Sequence, residues 1–389
     1  MFEVARASAN MVTPTFVEMP TISKTVGTHR KIKSAHVKTL SLQDFKNLET
    51  RPIFLREMRE SLMEIGTFYI KDHGIAKELT ANAMKTVQEY FALPLEEKKK
   101  MLIGNSRHYR GYKLIGEEFT NSLVDHREQL QFAREQAAVE SFTPSISPDY
   151  EGLQGPNQWP ASTLALLPSF QPRILEFMDQ LEALSQCLME AVALSLGLKG
   201  SYFRDLFGAA PYYRLKCAKY PSVNNARTIG CGAHKDTGFL TVLLQDMVGG
   251  LQGQDPVTGQ WMDTKPVPET FIVTVGESIE KLTGGLYHAT VHRVLNNTSG
   301  RDRFSIPFFF DPTLDARLPY SIPNLVQNAR LDFTSDAVKG TIDDEDLVHG
   351  LGIASLKSSE DGWSNGTHIF ETVNRCHPEV YTRWYSREL

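Results

Sequence analysis

RFSIPFFF, residues 303–310, is a short run of aromatic and branched residues, and five more of the same character precede it: YYRLKCAKY (212–220), FLTVLLQD (239–246), GGLQGQ (249–254), TFIVTVG (270–276) and ATVHRVLN (289–296). Gly, Pro and Asn turns separate them, a spacing that predicts an all-β sandwich or barrel and not a series of βαβ units. Helical patterns surround this core. Leu and Met recur every three or four residues over 40–66 (LSLQDFKNLETRPIFLREMRESLMEIG), which predicts one helix there. A short strand, TFYIKDHG, follows and ends at the His73-Gly74 turn, and 76–101 reads as an amphipathic helix broken near Pro94. Residues 102–160 carry turn signals, including HYRGY and GPNQWP. A long helix is expected over 168–198, with Ile174, Met178, Leu181, Leu184, Leu188 and Val192 on one face, and 366–387 returns to helix. The expected class is α+β: a double-stranded β-helix (jelly-roll) core with N-terminal helical segments and a C-terminal helix. Three segments follow: an extension at 1–35, an N-terminal region at 36–160, and the long helix plus core at 161–389.

With 389 residues, 41% hydrophobic and 22% charged, the chain can bury a large core. A net charge of −5 without a basic block argues against nucleic acid as a partner. Cys187, Cys217, Cys231 and Cys376 form no C-x-x-C pair and read as free thiols of a reducing compartment. No run of about 18 apolar residues is present, so no membrane span is expected. The first 30 residues hold Arg6, Lys24 and Arg30 against Glu3 and Glu18 and lack the apolar core of a secretory signal. A cytoplasmic monomer is expected, with organellar targeting by the extension as the alternative.

Within the β region stands His234-Lys235-Asp236. Residues two apart on a strand share a face, so His234 and Asp236 can grip one ion. A later strand supplies His292 as a third ligand, although His288 has the same parity and the spacing leaves the two open. Two imidazoles and a carboxylate form the facial set of non-haem Fe(II) oxygenases. By itself an H-x-D pair is a common accident. Eleven residues after His292 come Arg303 and Ser305, which present a guanidinium fork and a hydroxyl to one side of a strand, as a carboxylate end requires.

In this order the motifs resemble the isopenicillin-N-synthase-like branch of the 2-oxoglutarate/Fe(II)-dependent dioxygenase family. The resemblance runs from about residue 36 to 385 and includes GTFYIKDHGI, YFALPLEEKKKM, RGYKLIGEEF, AKYP and LTGGLYHATVHRV. It implies that His234, Asp236 and His292 are the iron ligands and favours His292 over His288. It also implies that Arg303, Ser305 and Tyr220 hold 2-oxoglutarate. One departure is Ala218, where plant members often carry Asn; the resemblance there runs closer to bacterial and fungal relatives.

The implied activity is oxidation of a small-molecule substrate by hydrogen abstraction, using Fe(II), 2-oxoglutarate and O2 and releasing succinate and CO2. The outcome is hydroxylation, desaturation or oxidative cyclisation. Lys216 shares parity with Tyr220, and an inward lysine is costly unless it meets a carboxylate. That predicts a carboxylate-bearing, amino-acid-derived substrate, with Arg110 and Tyr112 as further pocket residues. Phe308 and Phe310 are assigned to the core. The alternatives are an Fe(II) oxidase of the same fold that needs no 2-oxoglutarate, and a non-catalytic metal-binding jelly roll.

Overall fold

Alternation along the strand at 303–311 sets the two sides of the main sheet. Ile306, Phe308 and Phe310 are buried against helices, whereas Arg303, Ser305, Pro307 and Phe309 line a cavity. The computed structural model describes residues 37–120, 123–144, 146–223, 228–322, 325 and 362–386, and the expected extension at 1–35 lies outside them.

The main sheet has eight strands, in spatial order β1 (Thr39–Ser41), β2 (Thr67–Lys71), β12 (Phe271–Val275), β9 (Leu240–Gln245), β14 (Arg303–Asp311), β7 (Tyr212–Tyr220), β6 (Glu128–Ala133) and β3 (Gly111–Lys113). Only β1 and β2 run parallel. A four-stranded antiparallel sheet follows the order β11 (Trp261–Asp263), β10 (Leu251–Gln254), β13 (His292–Val294), β8 (Cys231–His234). Residues of both sheets line the one cavity, and Tyr69, Tyr220, Cys231, Leu251, Ile272 and Val294 form a small apolar cluster there. Two short pairs, β4 (Phe119–Thr120) with β5 (Leu123–Val124) and β15 (Arg317–Leu318) with β16 (Trp363–Ser364), complete the strands among the described residues. This is the jelly roll expected from the sequence.

Helices cover the other side of the large sheet. They are α1 (Leu42–Lys46), α2 (Arg51–Glu64), α3 (Lys77–Phe91), α4 (Leu95–Lys99), α5 (Ala161–Leu166) and α6 (Phe170–Ser195), with α7 (Arg204–Phe207), α8 (Glu277–Leu282), α9 (Asn365–Cys376) and α10 (Pro378–Trp384) further on. The face of α6 marked in the sequence is buried at Ile174, Met178, Leu181, Leu188 and Val192, in one core with Phe308 and Phe310.

Three local expectations need correction. Residues 40–66 are not one helix. The chain first adds β1 beside β2, and α2 starts only at Arg51-Pro52, where proline at the first turn forgoes an N–H that has no helical partner anyway. Second, the turn-rich segment hides β3 and β6. All six residues of β6 are buried, yet Glu128, Gln129 and Gln131 break the apolar pattern that would have signalled a strand. Third, the 366–387 helix is two helices divided at His377-Pro378.

One row runs straight across five strands: Lys113 opposite Gln129, Gln129 opposite Ala218, Ala218 opposite Ser305, and Ser305 opposite Gln245. Directly opposite residues project to the same face, so the whole row points to the cavity side. The Lys113 ammonium donates to the Cys376 carbonyl (2.8 Å), where a cation suits the end of α9, and pairs with Glu379 (2.9 Å). The C-terminal helices thereby cover the β3 end of this inner face.

Candidate metal and cosubstrate site

His234 ends β8 and His292 starts β13, and the ladder pairs them directly. Their rings therefore lie side by side, with centroids 4.3 Å apart. Each Nδ1 sits on a backbone carbonyl, His234 on Gly232 at 2.8 Å and His292 on Thr290 at 3.0 Å. A carbonyl can only accept, so Nδ1 carries the proton and the Nε2 lone pair is left free. Both Nε2 atoms converge on Asp236 Oδ1, at 3.8 Å and 3.6 Å. Among the described residues this trio is the one group whose donor atoms could hold a metal ion. His288 is not part of it; that residue lies before β13, near Glu280.

Asp236 is not on the strand with His234, since β8 stops at His234. The strand-parity argument for H-x-D therefore does not apply, and a tight loop does the positioning instead. The Glu277 N–H at the start of α8 donates to the Asp236 carbonyl (2.8 Å), and the Phe239 N–H donates to Asp311 (2.9 Å). A Cβ on Gly238 would collide with the Asp311 carboxylate, so only glycine fits there. Burial by itself would raise the Asp236 pKa, but His292, His234 and the Thr241 hydroxyl hold it below the ordinary carboxylate value. Burial and the neighbouring His234 push His292 below the usual imidazole value, which favours the neutral, ligating form.

In the same cavity, Arg303 is 1% exposed. Its guanidinium meets Ser305 Oγ (3.4 Å) and Gln245 Oε1 (3.2 Å) and lies over the Tyr220 ring at 4.8 Å. None of these is a carboxylate, and Arg303 Nε has no partner among the described residues. Buried cations are normally paired. An anionic end of a cosubstrate fits this seat, and two imidazoles with a carboxylate fit iron.

The remaining sequence candidates divide. Tyr220 and Lys216 line the cavity as parity predicted. However, Lys216 pairs with Glu118 at 3.3 Å, so the carboxylate it needs comes from the protein itself. Its inward position is then no argument for an acidic substrate. Tyr112 lies on the opposite, helix-packed face and donates to Glu128 Oε2 at 2.6 Å. Arg110 is clamped to the carbonyls of Gly155 and of Leu153 (3.1 Å). Neither lines the cavity, because the start of β3 turns their polar ends to the chain. Sequence reasoning missed Arg127, which lines the cavity and donates toward the Tyr220 hydroxyl (3.4 Å). Its signal was lost in a segment read as turns.

A jelly roll with a two-histidine, one-carboxylate donor set beside a buried, uncompensated arginine defines a class of mononuclear non-haem iron protein. Comparison with known proteins narrows it. Residues 37–162 match the family described as non-haem dioxygenase in morphine synthesis N-terminal, and residues 211–312 match the 2OG-Fe(II) oxygenase superfamily. A 1-aminocyclopropane-1-carboxylate oxidase of Dictyostelium discoideum is 33% identical over 319 residues, which cover 74% of this chain and 84% of that one. The 2-oxoglutarate-dependent dioxygenase frbJ of Dothideomycetidae sp. is 34% identical over 361 residues, 89% of this chain and 90% of that one. The crystal structure of a full-length Neurospora crassa protein in complex with alpha-KG and thymine shares the fold, with TM-score 0.67 at 23% identity over 87% of this chain and 96% of that one. The chain belongs to the 2-oxoglutarate/Fe(II)-dependent oxygenase superfamily. It is an oxidoreductase that uses Fe(II), 2-oxoglutarate and O2. Membership of this family speaks against the non-catalytic alternative.

Proposed function

We propose that His234, Asp236 and His292 hold the iron, that Arg303 and Ser305 bind the distal carboxylate of 2-oxoglutarate, and that Tyr220 helps to hold that end. The single observation behind this reading is the convergence of both imidazole Nε2 atoms on Asp236 Oδ1 in a cavity that Arg303 also lines. Iron, when bound with O2 and 2-oxoglutarate, supplies the oxidising power, with release of succinate and CO2. The chain supplies the rest. Gly232 and Thr290 carbonyls fix the imidazole tautomers, which keeps two neutral lone pairs on one point. Arg303 fixes the angle of the cosubstrate by a two-pronged grip. The apolar walls, Leu243, Ile272, Val294 and Phe309 among them, exclude water from the reacting carbon.

The substrate in this reading is a small carboxylate-bearing, amino-acid-derived metabolite, oxidised by hydrogen abstraction. The name of the Dictyostelium relative includes a carboxylate, which supports that class. Which of hydroxylation, desaturation or cyclisation follows depends on how the substrate sits. The reading includes a monomeric cytoplasmic enzyme of specialised metabolism, in which residues 36–160 support the catalytic part at 161–389.

Anaerobic addition of Fe(II) and then 2-oxoglutarate to the apoprotein tests the site. A weak visible charge-transfer band is expected in the wild type and is expected to vanish in His234→Ala. Iron binding with no band in the wild type would sink the cosubstrate assignment, and an unchanged band in His234→Ala would sink the ligand assignment.

A further inference from the structure

The four-stranded sheet brings one row of residues across the cavity. Met262, Gly253, His292 and His234 lie directly opposite one another on β11, β10, β13 and β8, and all four line the cavity. Leu251, two residues before Gly253, faces Val294, and both line it as well. The residues between them belong to the other face of the sheet. There Arg293 donates to Gln252 (3.0 Å) and lies over the Trp261 ring at 3.9 Å.

Gly253 therefore stands beside the iron ligand His292 with no side chain of its own. Nothing in the backbone demands a glycine: its φ is outside the left-handed region, and the ladders to β11 and β13 keep a regular register around it. Glycine inside a strand weakens it and marks a bulge, a bend, or a place where a ligand or another backbone comes close. A Cβ at this position would meet two atoms within 4 Å, Thr290 Cγ2 at 3.3 Å and Thr264 Oγ1 at 3.8 Å, and both are side-chain atoms. No other backbone fills the space, which leaves a ligand.

The walls select its kind. The charged groups that line the cavity are already committed: Lys216 pairs with Glu118, Arg127 pairs with Glu118 and Asp125, Arg303 serves the cosubstrate, and the trio serves iron. The threonines beside Gly253 are committed too. Thr290 donates to the Ile65 carbonyl (2.6 Å), Thr274 donates to the Gly66 carbonyl (3.1 Å), and Thr67 Oγ1 lies 2.7 Å from Thr290 Oγ1 and 3.3 Å from Thr274 Oγ1. With its hydroxyl so engaged, Thr290 turns a methyl toward Gly253. Met262, Leu251, Val294 and Ile272 add apolar surface. A charge placed here would lose its hydration and find no counter-charge.

We infer that the gap at Gly253 seats an uncharged, apolar part of the substrate, and that Gly253 is a specificity-determining residue that sets how much bulk can stand beside His292. This rests on the iron and 2-oxoglutarate reading of the same cavity and adds which end of the substrate meets the iron. The carboxylate of the substrate class proposed above is the trailing end, and the hydrogen is taken from a carbon of the apolar end.

The test uses the full chain loaded with Fe(II) and 2-oxoglutarate under argon, with the visible charge-transfer band as readout. Absence of the band in wild type would remove the cavity reading and this inference with it; once the band forms, its change on adding a compound reports binding beside the iron. The probes are L-leucine, L-methionine, L-phenylalanine and phenylacetate, set against L-aspartate, L-lysine and L-arginine. At least one apolar probe is expected to alter the band, with the charged side chains about tenfold or more weaker. Gly253→Val is expected to weaken that apolar probe by about tenfold or more, and Gly253→Ala to weaken it less, because added bulk competes for the same space. In both variants the band, the affinity for 2-oxoglutarate and the Tm are expected to stay as in wild type. If valine disturbs His292 and the band is lost, Gly253→Ala decides: weaker binding of the apolar probe supports the inference, and unchanged binding overturns it. The inference is also overturned if no apolar probe alters a band that forms, if the charged probes bind as well, if Gly253→Val binds the apolar probe like wild type, or if both variants lose the band, which would make Gly253 a support of His292.

Discussion

Arg110 and Arg303 are both almost wholly buried, Arg110 just before β3 and Arg303 at the start of β14 in the same large sheet, and both stood out in the sequence. They differ in where the terminal nitrogens go. Arg110 donates to two backbone carbonyls, and burial lowers its pKa to about 10. Arg303 meets only a hydroxyl, an amide oxygen and an aromatic face, and it lines the cavity. Each leaves its Nε without a partner among the described residues, so an orphaned nitrogen alone does not mark a site. What separates a structural arginine from a binding one is the accounting of all its donors together with the space in front of them.

That contrast can be broken by exchange. Arg110→Leu removes two charged hydrogen bonds to buried carbonyls, so chemical denaturation is expected to show a loss of about 3–6 kcal/mol. The KM for 2-oxoglutarate in whatever folds should stay unchanged, and a raised KM would put Arg110 back in the pocket. Arg303→Leu should do the opposite. Its Tm is expected to hold while kcat/KM for 2-oxoglutarate, read by succinate release, falls by about 10²–10³, the cost of truncating a buried charge pair. Arg303→Lys, which keeps the charge and loses the fork, should fall between them.

Asp311 sharpens the comparison from the acidic side, with the smallest effect. Its Oδ2 also lacks a partner among the described residues, and burial raises its pKa from 3.8 to about 6. A carboxyl whose folded pKa is raised contributes fully below pH 4 and loses that contribution as pH climbs through 6. Relative to wild type, Asp311→Asn should therefore be equal in stability near pH 4 and gain up to about 3 kcal/mol above pH 6. A flat difference across that range would show that Asp311 is ionised throughout.

How much the sequence revealed follows from what each element is made of. The strands of the core were legible because each alternates apolar and polar residues or is apolar throughout, and α6 was legible because its buried face repeats over about seven turns of helix. The iron trio was legible in identity. Its geometry was not, because Asp236 is placed by the α8 start and by Asp311, contacts that no local pattern encodes. The β6 strand was invisible because its inner face is Gln129 and Gln131 and its first residue is a buried glutamate paired with Lys98 at 2.6 Å. Polar residues buried for a purpose look like surface in a sequence. Lys216 shows the converse: its direction followed from parity, but its partner, Glu118, sits far away in the chain, and only the fold joins them.

The row from Lys113 to Gln245 also constrains how this enzyme can vary. Because strand side chains alternate, inserting one residue into β6 would turn Gln129 and Gln131 to the helices and bring Leu130 and Phe132 to the inner face of the sheet. The same slip in β7 would withdraw Lys216 and Tyr220 together. Within this sheet, new specificities have to arise by exchanging side chains at fixed chain length, and changes in length are left to the connections outside it.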